Sequence, residues 1–130
     1  MRARILLVED EPAFAAVLTE FFVEEGFSVL HLRDGMTALN ILATPHARRP
    51  DVIVCDVRLP GLRGDLLAKE LRTRFPDVRL PVLLMSASAD PQVDLRDVSF
   101  MPKPFDSGEL VNRIRGMLEA PSRSVATPAN

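Results

Sequence analysis

Apolar and polar positions alternate along this chain in blocks. Ile5-Leu6-Leu7-Val8 is a short run rich in branched side chains that stops abruptly at Glu9-Asp10-Glu11-Pro12. A run of this length and purity reads as a strand buried on both faces. After Pro12, a residue suited to a first helical turn, Phe14, Val17, Leu18, Phe21 and Phe22 recur at i, i+3, i+4, i+7 and i+8. That spacing predicts an amphipathic helix ending near Gly26. Phe27 to Leu32 reads as a second strand, and Asp34-Gly35 turns the chain into a helix bearing Met36, Leu39, Ile41 and Leu42. The stretch from Thr44 to Pro50 is a surface loop. Val52-Ile53-Val54-Cys55 is the third apolar run and ends in Asp56. Leu67, Leu71 and Phe75, four apart, predict a helix from about Asp65 to Phe75. The fourth run, Pro81 to Met85, ends at Ser86-Ala87-Ser88, and the fifth, Val98-Ser99-Phe100-Met101, leads into Pro102-Lys103-Pro104-Phe105. Asp106 with Glu109 three later predicts a capping box for a last helix carrying Leu110, Ile114, Met117 and Leu118. The end of the chain is rich in Ser, Pro and Ala, so residues 120–130 are expected to be a disordered tail or linker behind one domain over 1–119.

Strands alternating with helices, most of the strands almost uniformly apolar, imply an α/β fold with a parallel sheet covered on both faces. Ligands of such sheets bind outside the carboxyl ends of the strands, near the switch in strand order. Here those ends read Glu9-Asp10, Asp56, Ser86 and Lys103. Composition narrows the choice. The 130 residues suit one domain, and a lone cysteine excludes a disulfide scaffold. With 16 basic and 18 acidic side chains the net charge is −2, which gives no general attraction to nucleic acid or an anionic membrane. No apolar run approaches the ~20 residues of a membrane span, and the start lacks the features of a signal peptide, so the expected location is the cytoplasm. Only Lys69 and Lys103 are lysine, every other basic side chain being arginine. A lysine at a strand end is therefore a minority choice.

Carboxylates converging at the mouth of a low-dielectric sheet repel one another and need a cation. Hard oxygen ligands with few dedicated side chains suit Mg²⁺. The Ser86 hydroxyl and the Lys103 ammonium, arriving from neighbouring strands, suit a dianionic phosphoryl group.

At these positions the sequence resembles the receiver domain of two-component response regulators. The matching residues are Val8-Glu9-Asp10-Glu11, then Asp56 to Gly64, then Ser86-Ala87 and Lys103-Pro104-Phe105, over about residues 3 to 119. The resemblance implies a flavodoxin-like doubly wound sheet of five parallel strands in the order 2-1-3-4-5. It implies that Asp56 is the phosphoacceptor, taking a phosphoryl group from a histidine kinase or histidine phosphotransfer protein. Asp10 and Asp56 would bind Mg²⁺ directly, Glu9 mostly through water, and the backbone carbonyl of Arg58 would complete the protein's share. Lys103 and Ser86 would hold phosphoryl oxygens, the Lys103-Pro104 bond would be cis, and Ser86 with Phe100 would form the switch. Phe100 lacks a hydroxyl, so packing alone would hold its inward state. The implied protein is a signalling phosphoacceptor with self-catalysed phosphotransfer and autodephosphorylation rather than an enzyme. Its expected partners are the phosphodonor and a downstream protein, with no direct nucleic acid or membrane contact, in a monomer or weak dimer.

One departure from the family is visible. Between Ser86 and Lys103 stand 16 residues, roughly five fewer than usual, or about a turn and a half of helix. The helix between the fourth and fifth strands should be short or absent, with one turn around Pro91 to Arg96 or an irregular loop. Output would then use another surface or a remodelled loop. The competing reading is a phosphorylation-independent pseudo-receiver that serves as an interaction module, or a phosphate sink. An aspartyl-phosphate hydrolase would want an acid where Arg58 stands, and a flavin module would want a phosphate loop where Glu9-Asp10-Glu11 stand. The plainer readings make Cys55 a small core residue and His31 and His46 surface or loop residues. They make Arg48-Arg49 and Arg72-Arg74 solvated faces, with a docking role open to Arg58 or Arg63.

Overall fold

The computed structural model describes residues 2–44, 48–87 and 96–119. Its elements run β1 (Arg4–Val8), α1 (Pro12–Glu24), β2 (Ser28–Leu32), α2 (Gly35–Ala43), β3 (Val52–Asp56), α3 (Gly64–Arg74), β4 (Val82–Ser86), β5 (Val98–Pro102) and α4 (Ser107–Glu119). The strands form one parallel sheet in the order β2-β1-β3-β4-β5. This is the flavodoxin-like order that the strand-end motifs imply. Residues 88–95, where the short crossover is expected, and 120–130, the expected tail, lie outside the described residues, as does His46. Arg96 and Asp97 form a turn into β5.

Successive side chains of a strand point to opposite faces, so each apolar run supplies two cores at once. Leu6, Val8, Ile53, Cys55, Val82 and Leu84 pack with Leu39 and Leu42 of α2 and Leu67 and Leu71 of α3. Ile5, Leu7, Val52, Val54, Leu83 and Met85 pack with Leu18 and Phe22 of α1 and Leu110 and Ile114 of α4. β3 and β4 are buried throughout, whereas the edge strands β2 and β5 are only partly covered. Pro102, which has no N–H to donate, ends β5 at that edge.

The α1 stripe differs from its periodicity. Ala15, Leu18 and Phe22 form the buried face, while Val17 is 61% exposed and Phe14 and Phe21 sit at the margin. A template spanning i+3 and i+4 counts both borders of a stripe, and only the middle of it faced the sheet. The caps follow local chemistry. Glu11 caps α1 by accepting from Phe14 N–H at 3.0 Å, Asp34 caps α2 through Thr37 N–H at 2.8 Å, and Asp106 accepts from Glu109 N–H at 3.1 Å.

Arg72 is not a solvated residue. Its guanidinium donates to the carbonyls of Arg96 (2.8 Å), Leu80 (2.7 Å) and Asp97 (3.3 Å), tying α3 to the approaches of β4 and β5. Burial pulls its pKa down. Arg74 does lie on an exposed face, paired with Glu70 at 3.0 Å.

Candidate functional site

The sheet ladder runs one residue beyond the strands, and this aims the chemistry. Glu9 N–H donates to the Leu32 carbonyl at 3.0 Å, Val57 N–H to Met85 at 2.9 Å and Lys103 N–H to Ser86 at 2.8 Å. Each functional residue is thus held at a strand end by its backbone before its side chain makes any contact. Ligand oxygens of Glu9, Asp10 and Asp56 all lie within 4.8 Å of one another. Glu9 is 1% exposed and Asp56 7%, while Asp10 faces solvent. Lys103 Nζ lies 3.0 Å from Asp56 Oδ2 and 3.7 Å from Glu9 Oε1. The Lys103-Pro104 peptide bond is cis.

The Arg58 backbone N–H donates to Asp56 Oδ1 at 3.2 Å, fixing the carboxylate against the start of its own loop. Ser86 is 2% exposed at the end of β4, in register with Pro102 beside Lys103. Phe100 does not join the acid cluster. It lies two residues back from the end of β5, opposite Leu84, partly exposed and packed against the α2–α3 core.

Burial drives the Glu9 carboxyl up to about 7, with the Asp56 charge adding to the rise. The Glu11 N–H, donated to Glu9 Oε2 at 3.0 Å, and the Lys103 charge oppose it. Glu9 Oε1 is buried and accepts no hydrogen bond among the described residues. A buried acid with an oxygen that accepts no hydrogen bond, an adjacent buried acid and an exposed third one make a donor set suited to a hard divalent cation. The residues present therefore fit Mg²⁺.

Two residues of the site escaped the reading of the sequence. Phe14 lies under the lysine, its ring centroid 4.6 Å from Lys103 Nζ, and its ring is 6.1 Å from that of Phe105. A cation over a ring face is attracted to it, so Phe14 helps fix the ammonium. Its place in the first turn after Glu9-Asp10 was the available signal. Gly64 opens α3 directly behind Asp56, where a Cβ would overlap the Asp56 carbonyl oxygen and come within 2.9 Å of Cys55 Sγ. Gly35 likewise leaves room for the Leu62 carbonyl, so the loop after Asp56 is seated between two glycines. His31 is half buried rather than a free surface residue, its Nε2 2.8 Å from the Glu9 carbonyl. Cys55 is fully buried in β3, and burial pushes its thiol well up.

Residues 5–115 match the family model of the response regulator receiver domain. The chain belongs to that family. Among curated proteins, this receiver is 35% identical over 124 residues to the DNA-binding response regulator MtrA of Mycolicibacterium smegmatis, an alignment covering 91% of this chain and 51% of MtrA. The chain spans about half the length of the first curated relatives it matches. The receiver of the sensor histidine kinase PA1611 from Pseudomonas aeruginosa, which has a magnesium ion coordinated in its active-site cleft, is 27% identical with a TM-score of 0.79, over 92% of this chain and 100% of that one. The response regulator TrrA of Thermotoga maritima, in complex with Mg²⁺ and beryllofluoride, is 28% identical with a TM-score of 0.74, over 88% and 98% of the two chains. No described helix of the receiver is long and apolar enough to cross a membrane.

Proposed function

We propose that this receiver accepts a phosphoryl group from a phosphohistidine onto Asp56. An Asp56 carboxylate oxygen attacks phosphorus, the P–N bond breaks with its electron pair leaving to the imidazole nitrogen, and an acyl phosphate forms. Such transfers need positioning and charge neutralisation more than covalent help. Mg²⁺ bound by Asp10, Asp56, the Arg58 carbonyl and, mostly through water, Glu9 would neutralise phosphoryl oxygens. Lys103 pairs with one phosphoryl oxygen and Ser86 donates its hydroxyl to another. Phe14 keeps the ammonium over the pocket, and the Arg58 N–H holds the nucleophile.

The observation that carries this reading is the single lysine ammonium 3.0 Å from Asp56 and 3.7 Å from Glu9, beside a third acid. An ordinary solvated helix start has no need of a half-buried lysine paired with two acids. The modification adds about −1.5 to −2 charge. Ser86 then shifts toward the phosphoryl group and Phe100 turns into the space it leaves, altering the β5 surface for a downstream protein. Autodephosphorylation uses the same pocket with water as acceptor. The setting is a cytoplasmic two-component relay, with the domain over 1–119 acting as a monomer or weak dimer. Direct contact with nucleic acid, where a relative is a DNA-binding regulator, falls outside this domain's own role.

The test adds beryllofluoride and Mg²⁺ to the wild type and to Asp56→Asn and follows amide resonances. Shifts at Glu9–Glu11, Asp56–Arg58, Ser86 and Lys103 that spread to Phe100, and that vanish in Asp56→Asn, are expected. No response in the wild type would remove the reading. A response confined to the pocket would favour a phosphate sink.

A further inference from the structure

The amino ends of the strands carry a second set of charges that the phosphoryl chemistry does not use. Two cavities open there side by side. One, of about 220 Å³, is lined by Leu6, Leu30, Ile41 and Leu42 together with Arg4 and Arg48. The other, of about 490 Å³, is lined by Arg2, Arg4, Arg48, Arg49, Asp51 and Leu118. Arg4 and Arg48 line both, so an apolar slot and a cationic basin share a wall that includes these two arginines.

Arg4 Nη1 is buried and has no hydrogen-bond partner among the described residues. A charged donor taken out of water without an acceptor is costly, and a turn of the side chain toward the cavity would let a ligand oxygen relieve it. Asp51, in the same basin, accepts the Arg4 backbone N–H on Oδ2 at 2.7 Å, so one carboxylate stands among four arginines. Arg49 Cζ lies over the Phe75 ring, 5.2 Å from its centroid, a cation–π contact that helps hold this guanidinium beside the basin. Planar guanidinium forks match phosphate oxygens in pairs. Leu30, 46% exposed on the edge strand, offers apolar surface beside them.

We propose that this pole binds a small organic phosphate, with its phosphoryl group on Arg4 and Arg48 and its ring or aliphatic body in the slot against Leu30, Ile41 and Leu42. The concavity suits a compact body rather than an extended chain. A polyanion such as duplex DNA would also meet a molecule whose net charge is −2.

Titrating adenosine monophosphate into the full chain without Mg²⁺, and separately inorganic phosphate, tests the site by amide NMR. Saturable shifts are expected at residues 4–6, 28–30, 41–42 and 48–51, with inorganic phosphate binding about tenfold more weakly for want of a body in the slot. Arg48→Gln, at an exposed position, should weaken nucleotide binding about tenfold and keep the beryllofluoride response. Arg4→Gln should weaken it at least as much. No saturable shift at millimolar ligand, or an isotherm unchanged by Arg48→Gln, would overturn the site. Equal affinity for the two ligands would overturn the role of the slot, and tighter binding of a glutamate-rich peptide at the same residues would overturn the ligand class.

Discussion

The carboxyl and amino ends of the sheet are built from opposite charges used in opposite ways. At the carboxyl end, Glu9, Asp10 and Asp56 gather around one lysine, and the charges face one another. At the amino end arginines dominate, and several spend their donors on backbone: Arg72 on three carbonyls, Arg79 on that of Met117 at 3.0 Å. A net charge of −2 hides this separation. The lesson concerns residue type. Among the facing carboxylates the chain places one compact lysine, and where a fork must hold backbone carbonyls, as at Arg72 and Arg79, it places arginine. The first end is therefore costly to the apo protein and ready for ligand, while the second is mostly architecture.

Changing the lysine should have the largest effect on the chemistry. Lys103→Met is expected to slow phosphorylation of Asp56 by a small phosphodonor about a hundredfold, and Lys103→Arg to restore little of it. Rates followed by intact mass in the presence of Mg²⁺ give the comparison. Full activity in Lys103→Arg would erase the distinction between the two ends.

Behind Asp56, Gly64→Ala should destabilise the fold by about 2–3 kcal/mol, since the obstacle is the Asp56 backbone and not a flexible tip. Urea unfolding measures it, and an unchanged midpoint would mean that α3 can move away without cost. At the other end, Arg72→Met should cost about 2 kcal/mol because three carbonyls lose their donor. Phosphorylation of Asp56 in that variant should proceed at the wild-type rate. A slower reaction there would make the two ends interdependent.

The smallest effect expected is a pH dependence. The folded Glu9 carboxyl titrates at about 7 against 4.5 for its ordinary value, so the folded state binds this proton more tightly than the unfolded one. Its contribution to stability without metal therefore falls as pH rises from about 4.5 through 7, by on the order of 1–2 kcal/mol, and is flat above. The difference between wild type and Glu9→Gln across that range isolates it. Glu9→Gln should be the more stable at pH 8 (~7 plus one unit) without Mg²⁺, and added Mg²⁺ should narrow the gap. A gap that widens toward acid pH would reverse the assignment.

Much of this was legible in the sequence because the informative signals were local. Apolar runs stopping at Glu9, Asp56 and Ser86 marked strand ends, and sheet geometry brought those ends together. The contacts that escaped notice join residues far apart in the chain. Phe14 belonged to the periodic stripe of α1, and nothing near it shows that Lys103 would lie over its ring. Arg72, in the last turn of a helix, has the sequence of a solvated residue, yet its acceptors come from Leu80, Arg96 and Asp97. Gly64 was visible as part of the loop motif, but the reason for it is the carbonyl of Asp56 behind it.

The most direct measurement is the mass of the protein after incubation with acetyl phosphate and Mg²⁺, with the modified residue located by trapping and peptide mapping. The account predicts a gain of one phosphoryl group on Asp56, absent in Asp56→Asn and absent when Mg²⁺ is chelated. No gain in the wild type, or a gain that survives Asp56→Asn, would contradict it.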